Sequence, residues 1–109
     1  MSTQRKHERC HFELDVELVF DDGAIHPGRL QNFSLGGAFI LIDPVPDFGS
    51  KVVLHIDLPG VPKRCEIPSF VRWNKDGSGT GIQFEYTRPI EVWALSKLIR
   101  KLKEESSEQ

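Results

Sequence analysis

The sequence predicts an all-β domain, a small six-stranded antiparallel barrel followed by one C-terminal helix. Three observations carry that prediction. Apolar and polar residues alternate with a period of two through several segments, clusters of turn formers separate those segments at short intervals, and only the stretch after Thr87 changes to a helical period. Closing the sheet removes its exposed strand edges, which favours a barrel over the alternative of an open sheet capped by the helix. With 109 residues, 39% of them hydrophobic, the chain suits one domain with one modest core, so residues 1–109 are expected to form a single unit.

The elements follow in order. In "HFELDVELVF" the residues Phe12, Leu14, Val16, Leu18 and Phe20 alternate with Glu13, Asp15 and Glu17, the pattern of a half-buried antiparallel strand. "DDG" turns the chain into a second strand around Ile25 to Asn32, weakened by Pro27 and Gly28. "AFILI", Ala38 to Ile42, is apolar on both faces, so something must cover its second face. "KVVLHIDLP" alternates again, and "RCEIPSFVRW" and "TGIQFEY" flank the turn-rich "NKDGSG" as a hairpin. Thr87 can cap a final helix with Pro89 in its first turn, and Val92, Leu95, Leu98, Ile99 and Leu102 form its apolar stripe. The expected layout is a lead segment over 1–10, a barrel over 11–86 and a helix over 87–104.

Fourteen Lys and Arg against sixteen Asp and Glu leave a formal charge of −2, without the strongly basic field of a general DNA or RNA binder. The positive charge is local: Arg5, Lys6 and Arg9 gather at the start, and a small anion suits that arrangement better than a long polyanion. No apolar run is long enough to span a bilayer and the polar start lacks a signal-peptide core, so a cytoplasmic location is expected, with Cys10 and Cys65 as reduced thiols. "HERCH" could suggest a metal through His7, Cys10 and His11, but neighbouring residues on a strand point to opposite faces and no second ligand pair follows, so no metal is expected. Scattered histidines, and the absence of a GxSxG elbow, an HExxH pair or a motif-placed carboxylate pair, argue against an enzyme.

Two short stretches carry the functional signal. "RKHER" sets Arg5 and Arg9 four apart, two planar forks in a segment with no apolar period. "NFSLGG" lies between the second and third strands. In an extended chain Asn32 and Ser34 share a face and can hydrogen-bond one ligand, while Gly36 and Gly37 tolerate positive φ and let a ligand approach. Alone, each reads as a solvated charge run or a turn satisfying its own backbone.

Together they resemble the PilZ family, whose members carry RxxxR before the first barrel strand and [D/N]xSxxG at an early strand connection. Arg5 and Arg9 match the first motif, and Asn32, Ser34 and Gly37 the second; "FVRWNKDGSGTGIQF" looks like the family's late hairpin. The resemblance covers nearly the whole chain. It implies a six-stranded barrel of the PilZ-like split-barrel type and a receptor or adaptor for the second messenger cyclic di-GMP, bound by Arg5, Arg9, Asn32, Ser34, Gly36 and Gly37. Gln4, Lys6, Arg72 and Trp73 are further candidate contacts. Binding would change the conformation of the lead segment and signal to a protein partner controlling motility, exopolysaccharide or virulence. The alternative is a PilZ-like protein-interaction adaptor that binds no nucleotide. Asn32 stands where many members have Asp, and its amide is a weaker acceptor for guanine N–H groups than a carboxylate.

Overall fold

A computed structural model describes residues 10–75, 78–85 and 87–106. Six strands precede one helix: β1 (Cys10–Val19), β2 (Ile25–Phe33), β3 (Gly37–Leu41), β4 (Lys51–Ile56), β5 (Cys65–Lys75), β6 (Gly79–Phe84) and α1 (Pro89–Ser106). They close into an antiparallel barrel in the order β1-β2-β3-β6-β5-β4. The expected barrel is therefore observed, and the open-sheet alternative is not.

The barrel consists of two three-stranded meanders, β1-β2-β3 and β4-β5-β6, joined along two seams. The β3–β6 seam runs the length of β3, from Gly37 opposite Gln83 to Leu41 opposite Gly79. The β1–β4 seam is short, pairing only Glu17–Val19 with Val53–His55. On that side the N-terminal half of β1 has no strand neighbour, and α1 packs nearby through Ala94, Leu95 and Leu98, which join the core.

Period-two alternation sends Val16, Leu18, Leu30, Ile40, Leu54, Ile67, Val71 and Ile82 inward, and Phe12, Leu14, Ile99 and Leu102 pack against this cluster. On the outer face of β1, Arg29 donates to Asp15 at 2.7 Å and to Glu13 at 3.4 Å, while Arg64 reaches Glu17 at 3.0 Å and Asp57 at 3.4 Å. Hydrogen bonds to Asp15 and to Asp57 respectively raise the two guanidinium pKa values further.

Two details of the helix differ from the sequence expectation. Its first intrahelical acceptor is the Arg88 carbonyl, which bonds the amides of Glu91 at 2.9 Å and Val92 at 3.0 Å, so the cap position falls on Arg88 and not Thr87. Buried Glu91 reaches back to accept the Arg88 backbone N–H at 2.8 Å and its side chain at 2.8 and 3.1 Å, forming the carboxylate half of a capping box. Val92 is 39% exposed; Glu91, Ala94, Leu95 and Leu98 make the buried face instead.

Candidate functional site

The register of four strand pairs builds a row across the barrel. His11 lies opposite Asn32, Asn32 opposite Phe39, Phe39 opposite Gly81, and Gly81 opposite Trp73. Directly opposed residues share a face, and because Phe33, Ala38, Ile82 and Val71 point into the core, this row lies on the outer surface of β1, β2, β3, β6 and β5. From Asn32 to Trp73 is three strand spacings, about 14 Å.

Phe39 faces outward yet is only 8% exposed, because Trp73 lies over it with ring centroids 5.1 Å apart and planes inclined by 13°. This is the cover that the doubly apolar third strand requires. Two glycines of β6 make room for it. A Cβ at Gly81 would run into the Trp73 indole, 2.6 Å from Cε2, and one at Gly79 would run into the Phe39 ring, 3.0 Å from Cε1. Trp73 stays 50% exposed, so the stack presents a flat aromatic surface to solvent.

Bulges shape both ends of the row. The β2–β3 register shifts between Leu30 and Asn32, and the β5–β6 register shifts between Val71 and Trp73, leaving Arg72 exposed in the irregular step beside the stack. Beyond β2, Ser34 is buried at 3% exposure; its Oγ accepts the Gly36 N–H at 3.1 Å and its N–H donates to the Gly37 carbonyl at 2.8 Å. The serine is thus a turn former whose hydroxyl can still donate. The Gly36 carbonyl accepts the Phe84 N–H at 2.9 Å, tying the turn to β6. Contrary to the sequence expectation, neither Gly36 nor Gly37 uses positive φ; a Cβ at Gly37 would meet the Ile82 carbonyl oxygen, so close strand approach is its requirement.

Among the described residues, Arg29, Arg64 and Arg88 are held in ion pairs, whereas Arg72 and Arg100 have none. Both lie beside the motif surface: Arg72 next to the stack, and Arg100 in a groove of about 530 Å3 between α1 and Leu35 in the middle of the "NFSLGG" turn. Cations able to take an anion or a guanine edge therefore flank the row on two sides.

Of the residues singled out from sequence, the structure gathers Asn32, Ser34, Gly36 and Gly37 at the β2–β3 turn and sets Trp73 on Asn32's cross-strand row with Arg72 adjacent. Gln4, Arg5, Lys6 and Arg9 lie outside the described residues. Phe39 was not anticipated as part of the surface, nor was the purpose of "GTG". Two glycines spaced by two on a strand leave one face bare, and that signal was available. Among the described residues no cluster of His, Cys, Asp or Glu could hold a metal ion, and no helix is long and apolar enough to cross a membrane.

Comparison with known proteins bears on the fold and the family. The barrel matches the PilZ domain of YcgR from Escherichia coli, solved with c-di-GMP, at a TM-score of 0.72 and 17% identity over 97% of this chain and 96% of that one. It matches the Bacillus subtilis inhibitor of motility MotI/DgrA at 0.71 and 20% identity, covering 92% of this chain and 52% of that one. It also matches the Borreliella burgdorferi PlzA protein in complex with c-di-GMP at 0.68 and 16% identity, covering 85% and 40%. The chain thus spans about half or less of the latter two proteins. No curated protein sequence matches it significantly. The family model for the PilZ domain matches residues 3–104, nearly the entire barrel and helix, and the chain belongs to the PilZ domain family.

Proposed function

We propose that this protein is a cytoplasmic receptor for cyclic di-GMP that works as one PilZ unit and passes the signal to a protein partner. The observation that carries the reading is the β1–β2 register. His11 lies opposite Asn32, so the chain enters the barrel beside the "NFSLGG" turn, and Arg9 is only two residues upstream, within about 7 Å of extended chain. That short chain distance supports reading the two motifs as parts of one site.

Each part has a chemical task. The Phe39–Trp73 stack offers a guanine its flat face, a contact worth about 1–3 kcal/mol per base. The Asn32 amide can bond a guanine edge, and Ser34 can donate its hydroxyl hydrogen. Arg5 and Arg9 on the lead, with Arg72 beside the stack, supply forks for guanine O6 and N7 or for phosphate oxygens. Gly37, drawn tightly against β6, keeps the turn low enough for a ligand to lie across it. Closing the lead over the ligand creates a composite surface of protein and nucleotide for the partner to read.

Support from relatives is of two kinds: YcgR and PlzA are solved with c-di-GMP, and MotI is named for inhibiting motility. Isothermal calorimetry of the full chain with cyclic di-GMP, and with GMP as the half-ligand control, tests the reading. Saturable heat with cyclic di-GMP and much weaker heat with GMP is expected. No signal at about 100 μM ligand, where binding of about −5.5 kcal/mol already registers, would favour the adaptor that binds no nucleotide.

A further inference from the structure

A second surface lies on the side of the barrel where the β1–β4 seam is short. There α1 crosses the unpaired half of β1 and leaves a groove of about 450 Å3, floored by Phe12, Pro59 and Trp93. Ile90, Trp93, Lys97 and Lys101 are three, four and four residues apart, so they form one stripe along the helix, adjacent to the stripe that enters the core. The first part of that stripe is apolar and open to water: Ile90 is 44% and Trp93 45% exposed. The second part is basic. Lys97 Nζ stands 4.8 Å from the centroid of the Trp93 ring, and neither Lys97 nor Lys101 has an ion-pair partner among the described residues. Ile90 and the groove-lining Trp93 thus form a contiguous exposed apolar patch next to the basic part of the stripe.

The floor is also fixed in shape. Gly60 has a φ of +86° and lies under the edge of the Trp93 ring, where a Cβ would touch Cη2 and Cζ3 at 3.5 Å. The indole rests on bare backbone there, leaving the space beside it for an incoming side chain. An anchor aromatic with unpaired cations at its rim fits an apolar side chain flanked by carboxylates.

We propose that this groove docks an acidic, apolar-anchored segment of a partner protein. A large apolar side chain of the segment fills the space against Trp93 and Pro59, and its carboxylates meet Lys97 and Lys101. The docking face is separate from the Asn32–Trp73 row, so the surface does not depend on the cyclic di-GMP reading.

The test uses the full chain and two fluorescein-labelled helical peptides of about 16 residues, with one shared apolar stripe flanked by Glu in the first and by Lys in the second. Fluorescence anisotropy should show saturable binding of the Glu peptide and at least about tenfold weaker binding of the Lys peptide. Trp93→Ala, and separately Lys97→Glu with Lys101→Glu, should each weaken the Glu peptide by about tenfold or more. The lysine variant changes only exposed side chains, so it decides the matter even if Trp93→Ala fails to fold. Equal binding of both peptides, binding of neither, a lysine variant that binds the Glu peptide like wild type, or preferential capture of a labelled oligothymidylate would each overturn the proposal.

Discussion

Replacing Gly81 by alanine should destabilise the protein, although the same change in an ordinary strand stabilises it by about 0.5–1 kcal/mol through reduced chain entropy. The reversal follows from what lies over Gly81. An added Cβ would occupy the position of the Trp73 indole, whose Cε2 stands 2.6 Å from it, so the half-exposed indole must lift off Phe39. Breaking the stack forfeits about 0.5–1.5 kcal/mol of aromatic pairing. Uncovering roughly half of Phe39 gives back about 1 kcal/mol of its burial. Set against the entropic gain, the net loss is about 1 kcal/mol. Urea unfolding followed by circular dichroism reads this as a lower midpoint with an unchanged slope. The same substitution made beside Trp73→Ala should be neutral or stabilising, a coupling of at least about 1 kcal/mol. If Gly81→Ala raises the midpoint in the wild-type background, or acts alike in both, the aromatic cover is not what requires glycine there. Gly37→Ala is the contrast: its Cβ would meet the Ile82 carbonyl oxygen and lie 3.3 Å from Gln83 Cα, so removing Trp73 should not rescue it.

Other expectations address the ligand, the turn and the core. Arg9→Ala should weaken cyclic di-GMP by about 1–3 kcal/mol, a roughly 5- to 150-fold loss by calorimetry, and Arg9→Lys should recover little because it lacks the planar fork. Wild-type binding by the lysine variant would make Arg9 a point charge. Ser34→Ala should lower unfolding free energy by about 1–2 kcal/mol, since the Gly36 N–H loses its acceptor; an unchanged midpoint would contradict the buried-turn geometry. Burial, reinforced by the charge of Glu91, pushes the Cys65 thiol up. A raised folded value means the stability it contributes is whole below the unfolded thiol pKa of about 8.5 and is lost as pH climbs from there towards the folded one. Urea midpoints should accordingly fall more steeply between about pH 8 and 10 in wild type than in Cys65→Ala, and parallel curves would refute the assignment.

How much could be read from the chain depended on whether a signal was local. Strand alternation from Phe12 to Phe20 needs only its own period, and the structure places Val16 and Leu18 in the core as that period requires. The "NFSLGG" turn was legible as a position but not as an arrangement. The bulge at Asn32 and the burial of Ser34 depend on β3 and β6, which lie later in sequence. The need for a cover over the third strand was legible but its identity was not, because Trp73, which covers Phe39, lies two strands across the sheet and more than thirty positions along the chain. Thr87 was a reasonable cap by residue type, but the buried Glu91 carboxylate selects Arg88. Val92 fits a helical stripe by spacing, yet the path of α1 turns Ala94 inward and Val92 out.

The division of the barrel into two meanders has a practical consequence for a bisected protein. The connection between β3 and β4, residues 42–50, carries Pro44, Pro46 and an outward-pointing Phe48 that is 73% exposed, so a break there interrupts no strand pairing within either meander. One fragment would keep Asn32, Ser34 and Phe39, and the other Arg72, Trp73, both β6 glycines and the helix. Neither fragment holds the whole Asn32–Trp73 row. A small molecule that bridges Asn32 and Trp73 would bind only the rejoined pair and favour reassembly in proportion to its concentration, turning the two fragments into a ligand-gated complementation reporter.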